Sequence, residues 1–520
     1  MTRHHPDADP IAPSEPAPQH VDVLIVGAGL SGIGAACHLT RECPDKTYAV
    51  LESREAIGGT WDLFRYPGVR SDSDMFTLGY DFRPWRSARA IADGASIREY
   101  VVDTAREHGV TEHIRFGHRV VSARWSSADA RWTVTARHGE QTVQLTCSWL
   151  SVCSGYYRYD EGYTPVLPGT EQFTGQVVHP QHWPADLDVT GKRVVVIGSG
   201  ATAVTLVPNL APDAEHVTML QRTPSYVVAL PGTDPLASWL QQRLPERVAH
   251  RVVRWKNVVM TTTSYQVSRR RPELMKKLIR TGMLRQLPVG YDVDTHFSPP
   301  YQPWDQRLCL VPDGDLFRAL RSGRASIATG QIETFTEHGI RLRSGEELPA
   351  DVVVTATGLN LLTMGGMTVE VDGRPVEPSE TVSYKGMMVS GVPNLALVIG
   401  YTNNSWTLKA DLISRYVCRL IRYLDTHDLA SATPVAPPEG ADAPFLDLSS
   451  GYVQRSLDAL PRQGSRAPWK LHQNYFRDLW LMKRGPLADE GMTFQPRTPS
   501  WSGTPVPTPV GTVPEKEAVA

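Results

Sequence analysis

Two glycine-rich segments carry most of the chemistry legible in this chain of 520 residues. In VDVLIVGAGLSGIGAACHL, Gly27, Gly29 and Gly32 close an apolar run and open a helical pattern, and in KRVVVIGSGATAVTLVPNL, Gly198, Gly200 and Ala203 repeat the arrangement. Such a turn needs one glycine to bend, a second to let backbone approach a pyrophosphate, and a small third residue where helix packs on strand. The helix N-terminus then presents free N–H groups to the phosphates. The copies differ in what ends the next strand: Glu52 in TYAVLE, but Gln221, Arg222 and Thr223 in HVTMLQRTPSY. A carboxylate accepts hydrogen bonds from ribose hydroxyls, whereas Arg222 can pair with a 2′-phosphate that a carboxylate would repel. The sequence therefore implies two dinucleotides: a flavin, FAD, at the acidic site and NADPH, in preference to NADH, at the basic one.

The elements that must hold these sites are short apolar runs at residues 21–29, 47–52, 149–155, 193–200 and 350–358. Uninterrupted β-rich runs suit parallel strands covered on both faces, and helical patterns follow several of them. An α/β fold with two Rossmann-like domains is expected. Residues about 234–290 read instead as a basic helical insertion, with twelve Lys or Arg between Trp239 and Gln286 against only Glu246 and Glu273. Its stripe of Leu244, Val248, Val252, Trp255 and Val259 is expected to pack on the protein, the alternative being an anionic membrane surface. Residues 1–20 and 497–520 are rich in Pro, Ser, Thr and charge and are expected to be mobile tails.

Composition narrows the function further. A net charge of −2 removes any general electrostatic reason to bind nucleic acid. The six cysteines form no C-x-x-C pair, so neither a zinc site nor the redox dithiol of a disulfide reductase is indicated. Walker A, H-E-x-x-H and G-x-S-x-G patterns are missing, which disfavours ATPase, metalloprotease and α/β-hydrolase chemistry. With no apolar leader and no run of 18 apolar residues, a soluble, reduced, cytoplasmic protein is expected, peripheral membrane contact being the one alternative.

A family resemblance supplies the reaction. In FTGQVVHPQHWP, the residues Phe173, Gly175, His179, Trp183 and Pro184 match the F-x-G-x-x-x-H-x-x-x-W-P signature of Baeyer–Villiger monooxygenases, class B flavoproteins. A second signature is complete in Gly59, Trp61, Tyr66, Pro67, Gly68 and Asp72, and the likeness runs over about residues 20–495. Stretches such as YQPWDQRLCLVP look closely like bacterial members that oxygenate thioamides. The resemblance implies an FAD domain built from residues 21–160 and 351–496, with an NADPH domain at 161–350 inserted between them. It implies Arg307 as the active-site arginine and Asp72 as the carboxylate that orients it, serving a C4a-peroxyflavin formed from O2. Ketones would become esters or lactones, with sulfides and thioamides as further small-molecule substrates.

Read from the residues alone, Arg307 is one more surface arginine and Asp72 a turn cap among Ser71, Ser73 and Asp74. Trp61 and Trp406 are aromatic candidates beside flavin or substrate, with a packed-core or rim role as the equal alternative. His179, an imidazole that could act as acid or base, reads by its place between the cofactor domains as a contact or hinge. Gln306 stands where many relatives carry Lys, leaving the 2′-phosphate to Arg222 and Thr223. Two other functions stay open: an S- or N-oxygenating flavin monooxygenase with little ketone activity, and a redox sensor that binds both dinucleotides without turnover.

Overall fold

The computed structural model describes residues 18–446 and 448–497. Strand β1 (Gln19–Val26) leads through the first glycine turn into helix α1 (Leu30–Glu42) and back to β2 (Tyr48–Leu51), a parallel unit in which Ile25 faces Val50. Alongside lie β3 (Ile114–Arg115), β4 (His118–Ser126), β5 (Arg131–His138) and β6 (Gln141–Val152). The chain leaves this sheet through β7 (Tyr157–Gly162) and builds a second, wholly parallel one.

The second sheet takes β8 (Gln176–Val178), β9 (Arg193–Ile197), helix α2 (Ala201–Leu210) after its own glycine turn, and β10 (His216–Gln221). Beyond β11 (Val227–Leu230) comes the insertion, helices α3 (Pro235–Arg243), α4 (Glu246–Arg270) and α5 (Pro272–Leu284), before β12 (Cys309–Pro312) pairs with β11. Strand β13 (Ala325–Thr329), an antiparallel flap of β14 (Ile332–Thr336), β15 (Gly339–Leu342) and β16 (Glu347–Pro349), and β17 (Val352–Thr355) complete it, in the order β13-β10-β9-β17-β8. The return strand β18 (Leu359–Leu361) runs antiparallel to β7, with Leu359 opposite Gly162, so both connections between the sheets form one ribbon. Strands β19 (Thr368–Val371), β20 (Arg374–Pro375) and β21 (Leu395–Leu397) then rejoin the first sheet. Helix α6 (Trp406–Thr426) covers it beside α1, and α7 (Tyr475–Lys483) packs on α6.

Burial explains the strand choice. Val194 to Val196 and Val352 to Val354 are at most 1% exposed, the signature of parallel strands with helices or loops over both faces. Strands β4 and β5 instead alternate buried and open positions and form an antiparallel ladder the apolar-run reading does not capture. The expected tails fall mostly outside the described residues, and three residues correct their bounds. Gln19 and His20 already belong to β1, while the Arg497 amide donates to the Asp428 carbonyl at 2.9 Å.

The stripe on the insertion is a second correction. Val248, Val252, Trp255 and Val259 are 46, 45, 40 and 48% exposed, and it is the opposite side of α4 that packs inward. That side carries Arg254, whose Nη1 donates to the carbonyls of Phe76 and Gly79 at 2.9 and 2.7 Å, and Asn257, which donates to Asp74. Apolar periodicity fixes the helix but not its rotation, because a buried arginine with enough acceptors is tolerated.

Candidate active site

The first glycine turn is tight against its neighbours except where a ligand would come. A Cβ on Gly27, whose φ is +105°, would stand 2.7 Å from the Cys153 carbonyl oxygen, and one on Gly32 would stand 1.8 Å from the Gly27 oxygen. Gly29 meets only Gly59, its Cβ position lying 3.5 Å from that Cα. Glu52, 4% exposed, accepts from the amides of Ala28 at 2.7 Å and Arg54 at 2.8 Å. Oε1 also accepts from Ser53 Oγ at 3.4 Å, while Oε2, which takes the Ala28 amide, keeps a second lone pair for another donor.

The second turn repeats this with one informative difference. Gly198 has φ +140° and would clash with the Ala356 carbonyl, while a Cβ on Gly200 has no atom of the protein within 4 Å. Ala203 is fully buried, its methyl filling the helix–strand contact where Gly32 has no room. Ser199 Oγ donates to the Thr223 carbonyl at 2.9 Å, tying the turn to the end of β10. Arg222 is exposed there, whereas Gln221 is buried and donates to the His296 carbonyl and Thr329. Both turns thus present open, backbone-lined cradles of the kind a pyrophosphate fills, and the residues present fit two dinucleotides.

Between the turns lies a cavity of about 360 Å³, within the range of ligand sites. Gly27, Gly29 and Glu52 border it from one side and Ala201, Thr202 and Thr205 of α2 from the other. Arg307 and Asp72 meet in it, Nη2 to Oδ2 at 3.2 Å. Arg307 is placed by the strand that follows it: Cys309 opens β12, bonds through its amide to the Tyr226 carbonyl, and sets its sulfur 3.5 Å from the Ser199 carbonyl. Burial works against the guanidinium's charge, yet the Asp72 carboxylate, then the hydroxyls of Tyr156, Tyr452 and Tyr157, hold its pKa above the usual value. It is therefore cationic at any working pH.

Asp72 does not cap the turn. Ser71 Oγ donates to the Ser73 carbonyl at 2.7 Å, and Asp74 accepts from the Thr77 amide, which leaves Asp72 facing the arginine. Trp61 and Trp406 both line the cavity. Trp406 Nε1 donates to Ser31 Oγ at 2.7 Å and its ring stacks on Tyr156 with centroids 5.2 Å apart. Tyr156, Tyr157 and Tyr452 went unnoticed in the sequence; the only signal was an aromatic pair directly after the strand-ending Gly155. His179 lies away from this constellation, pressed on the connecting ribbon where a Cβ on Gly162 would touch its ring at 1.9 Å. Burial lowers its pKa, so the ring is a neutral packing element there.

A family model described as flavin-binding monooxygenase-like matches residues 89–362, more than half of the chain. The chain belongs to this family. It is a flavin monooxygenase, and residues 25–88 also match an NAD(P)-binding Rossmann-like domain. Among curated relatives, the FAD-containing monooxygenase EthA of Mycobacterium tuberculosis is 56% identical over 497 residues, covering 95% of this chain and 99% of that protein. EthA of Mycolicibacterium smegmatis is 53% identical over 478 residues, covering 92% and 97%. Solved structures agree on the fold. Oxidized steroid monooxygenase bound to NADP superposes with a TM-score of 0.69 at 20% identity, over 92% of this chain and all of that one. Cyclohexanone monooxygenase in its closed form gives 0.67 at 21% identity, over 81% and 87%. The α/β architecture with two nucleotide-binding sheets is thus the family's. Among the described residues, no helix is long and apolar enough to cross a membrane.

Proposed function

We propose that the protein is a Baeyer–Villiger monooxygenase that converts ketones to esters or lactones and oxygenates sulfides and thioamides. FAD and NADPH are its cofactors; together they supply the two-electron activation of O2 that no side chain can provide. Gly27, Gly29, Gly32, Glu52 and Trp61 would hold FAD, in a domain of residues 21–160 and 351–496. Gly198, Gly200, Ala203, Arg222 and Thr223 hold NADPH in residues 161–350, and the cytoplasm, with its supply of NADPH, is the setting.

One observation carries the reading: a permanently charged guanidinium, braced by a carboxylate at 3.2 Å, sits in the cavity bordered by the first glycine turn on one side and by the start of α2, just after the second turn, on the other. Arg307 offers a donor fork to negative charge developing on the reacting oxygen, in a site walled by Tyr156, Trp406 and Leu310 that keeps water from competing. Asp72 orients that fork. Backbone N–H groups of the two turns would hold the phosphates of the two dinucleotides. The test is Arg307→Ala, with flavin reduction by NADPH and ester formation followed separately. Reduction should proceed as before while ester yield falls by about 100-fold or more, NADPH consumption being diverted to hydrogen peroxide. Ester formation retained in that variant would overturn the assignment.

A further inference from the structure

Helix α4 wears its apolar stripe on the outside. Val248, Val252, Trp255 and Val259 recur at helical spacing and are 46, 45, 40 and 48% exposed, while Ala249, Val253 and Asn257 face the protein. Single exposed apolar side chains are ordinary; a continuous row on one helix face is not. The surface also extends beyond the helix. Trp255 stacks on Phe476 of α7 at 6.0 Å, and Phe476 and Trp480 are 40 and 64% exposed. On the neighbouring helices, Leu236 and Trp239 of α3 and Leu274 and Leu278 of α5 are exposed as well.

Positive charge borders this row. Arg243, Arg247 and Arg251 follow one another at four-residue steps, all exposed, and Lys277 is exposed on α5. The segment's two acids are engaged, Glu246 by Arg86 at 2.6 Å and Glu273 by Lys276 at 2.9 Å. We propose that this face docks the enzyme on an anionic lipid bilayer, the α4 stripe resting at the acyl boundary and the arginines among the phosphate headgroups. A helix with this division of residues binds in the plane of the interface rather than across it. Charge favours lipid over a second copy, because a two-fold pairing of the same patch would set two rows of arginines against each other. The geometry also brings lipid close to the chemistry. The inner face of α4 contributes Val258 to a cluster with Tyr401 and Leu408, and Tyr401 lines the active-site cavity.

The test uses the full-length holoenzyme and co-sedimentation with vesicles of phosphatidylcholine alone or mixed with phosphatidylglycerol. Binding should need phosphatidylglycerol and weaken as salt screens it. Arg247→Glu with Arg251→Glu should lower partitioning by about tenfold or more. Val252→Ser with Val259→Ser should weaken it at unchanged charge. These side chains touch neither cofactor cradle, so the unfolding midpoint and NADPH oxidation without lipid should match the parent. Equal sedimentation with both vesicle types, none with either, or variants that bind like the parent would overturn the proposal. So would a stable dimer that the valine variants split while lipid binding is absent, since a second copy would then cover the face. Vesicle binding does not depend on turnover, so this result stands apart from the fate of the oxygenation assay.

Discussion

Replacing Gly200 by alanine separates what the second glycine turn does for the fold from what it does for a ligand. Gly200 stands at the N-cap of α2 with φ −82°, open to any residue, and a Cβ there meets no protein atom within 4 Å. Gly200→Ala should therefore change unfolding free energy by no more than about 1 kcal/mol. A pyrophosphate oxygen must reach about 2.9 Å from the amides to bond. A methyl in the cradle holds it off, and losing even one or two charge-assisted bonds at about 1.5–3 kcal/mol each amounts to about 3 kcal/mol. That corresponds to about 100-fold weaker NADPH binding. Calorimetric titration of the FAD-loaded variant with NADPH, beside its unfolding midpoint, reads both effects. Gly32→Ala is the counterpart: with its Cβ 1.8 Å from the Gly27 oxygen, it should lose stability and FAD together. A Gly200→Ala protein that binds NADPH as the parent does would refute the reasoning, since the open space would then not be the phosphate's.

Arg222→Ala should raise the Michaelis constant for NADPH by about tenfold, the loss of one charge-assisted contact, and leave NADH nearly untouched; equal losses for both coenzymes would show that Arg222 does not read the 2′-phosphate. Stability should depend on His38. Burial opposes its charge, but hydrogen bonds to Asp411 and Glu42, both at 3.3 Å, raise its pKa from 6.5 to about 9. A group whose folded pKa is raised stabilises fully below its unfolded value, and the contribution, at most about 3 kcal/mol, disappears as pH climbs from about 6.5 through about 9. Unfolding midpoints over that range should fall for the parent and stay flatter for His38→Gln; parallel curves would contradict the assignment.

How far the sequence reached depended on how local each feature's cause is. The glycine turns and strands β1, β2, β9 and β17 follow from contiguous runs, because a strand buried on both faces needs no partner to be recognised. The half-open ladder of β4 and β5 needs its partners, and HRVVSARWS offers only weak alternation. Arg307 and Asp72 lie far apart in the chain, and no spacing rule links them; the family signature named them, and only the fold brings them to 3.2 Å. The tyrosines around Arg307 come from two distant segments and were invisible for the same reason. The rotation of α4 does not follow from sequence, because Arg254 looks like a surface residue until the carbonyls of Phe76 and Gly79 are placed against it.

The central claim is that Arg307 and two bound dinucleotides make a ketone-oxygenating site. Its most direct test is mass spectrometry of the product formed from a simple cyclic ketone by the FAD-loaded protein with NADPH under isotopically labelled O2. The expected product is a lactone carrying one labelled oxygen in the ring, formed in proportion to NADPH consumed. Unchanged ketone with peroxide accumulating, or oxygen transfer to a sulfide under conditions where the ketone is inert, would contradict it.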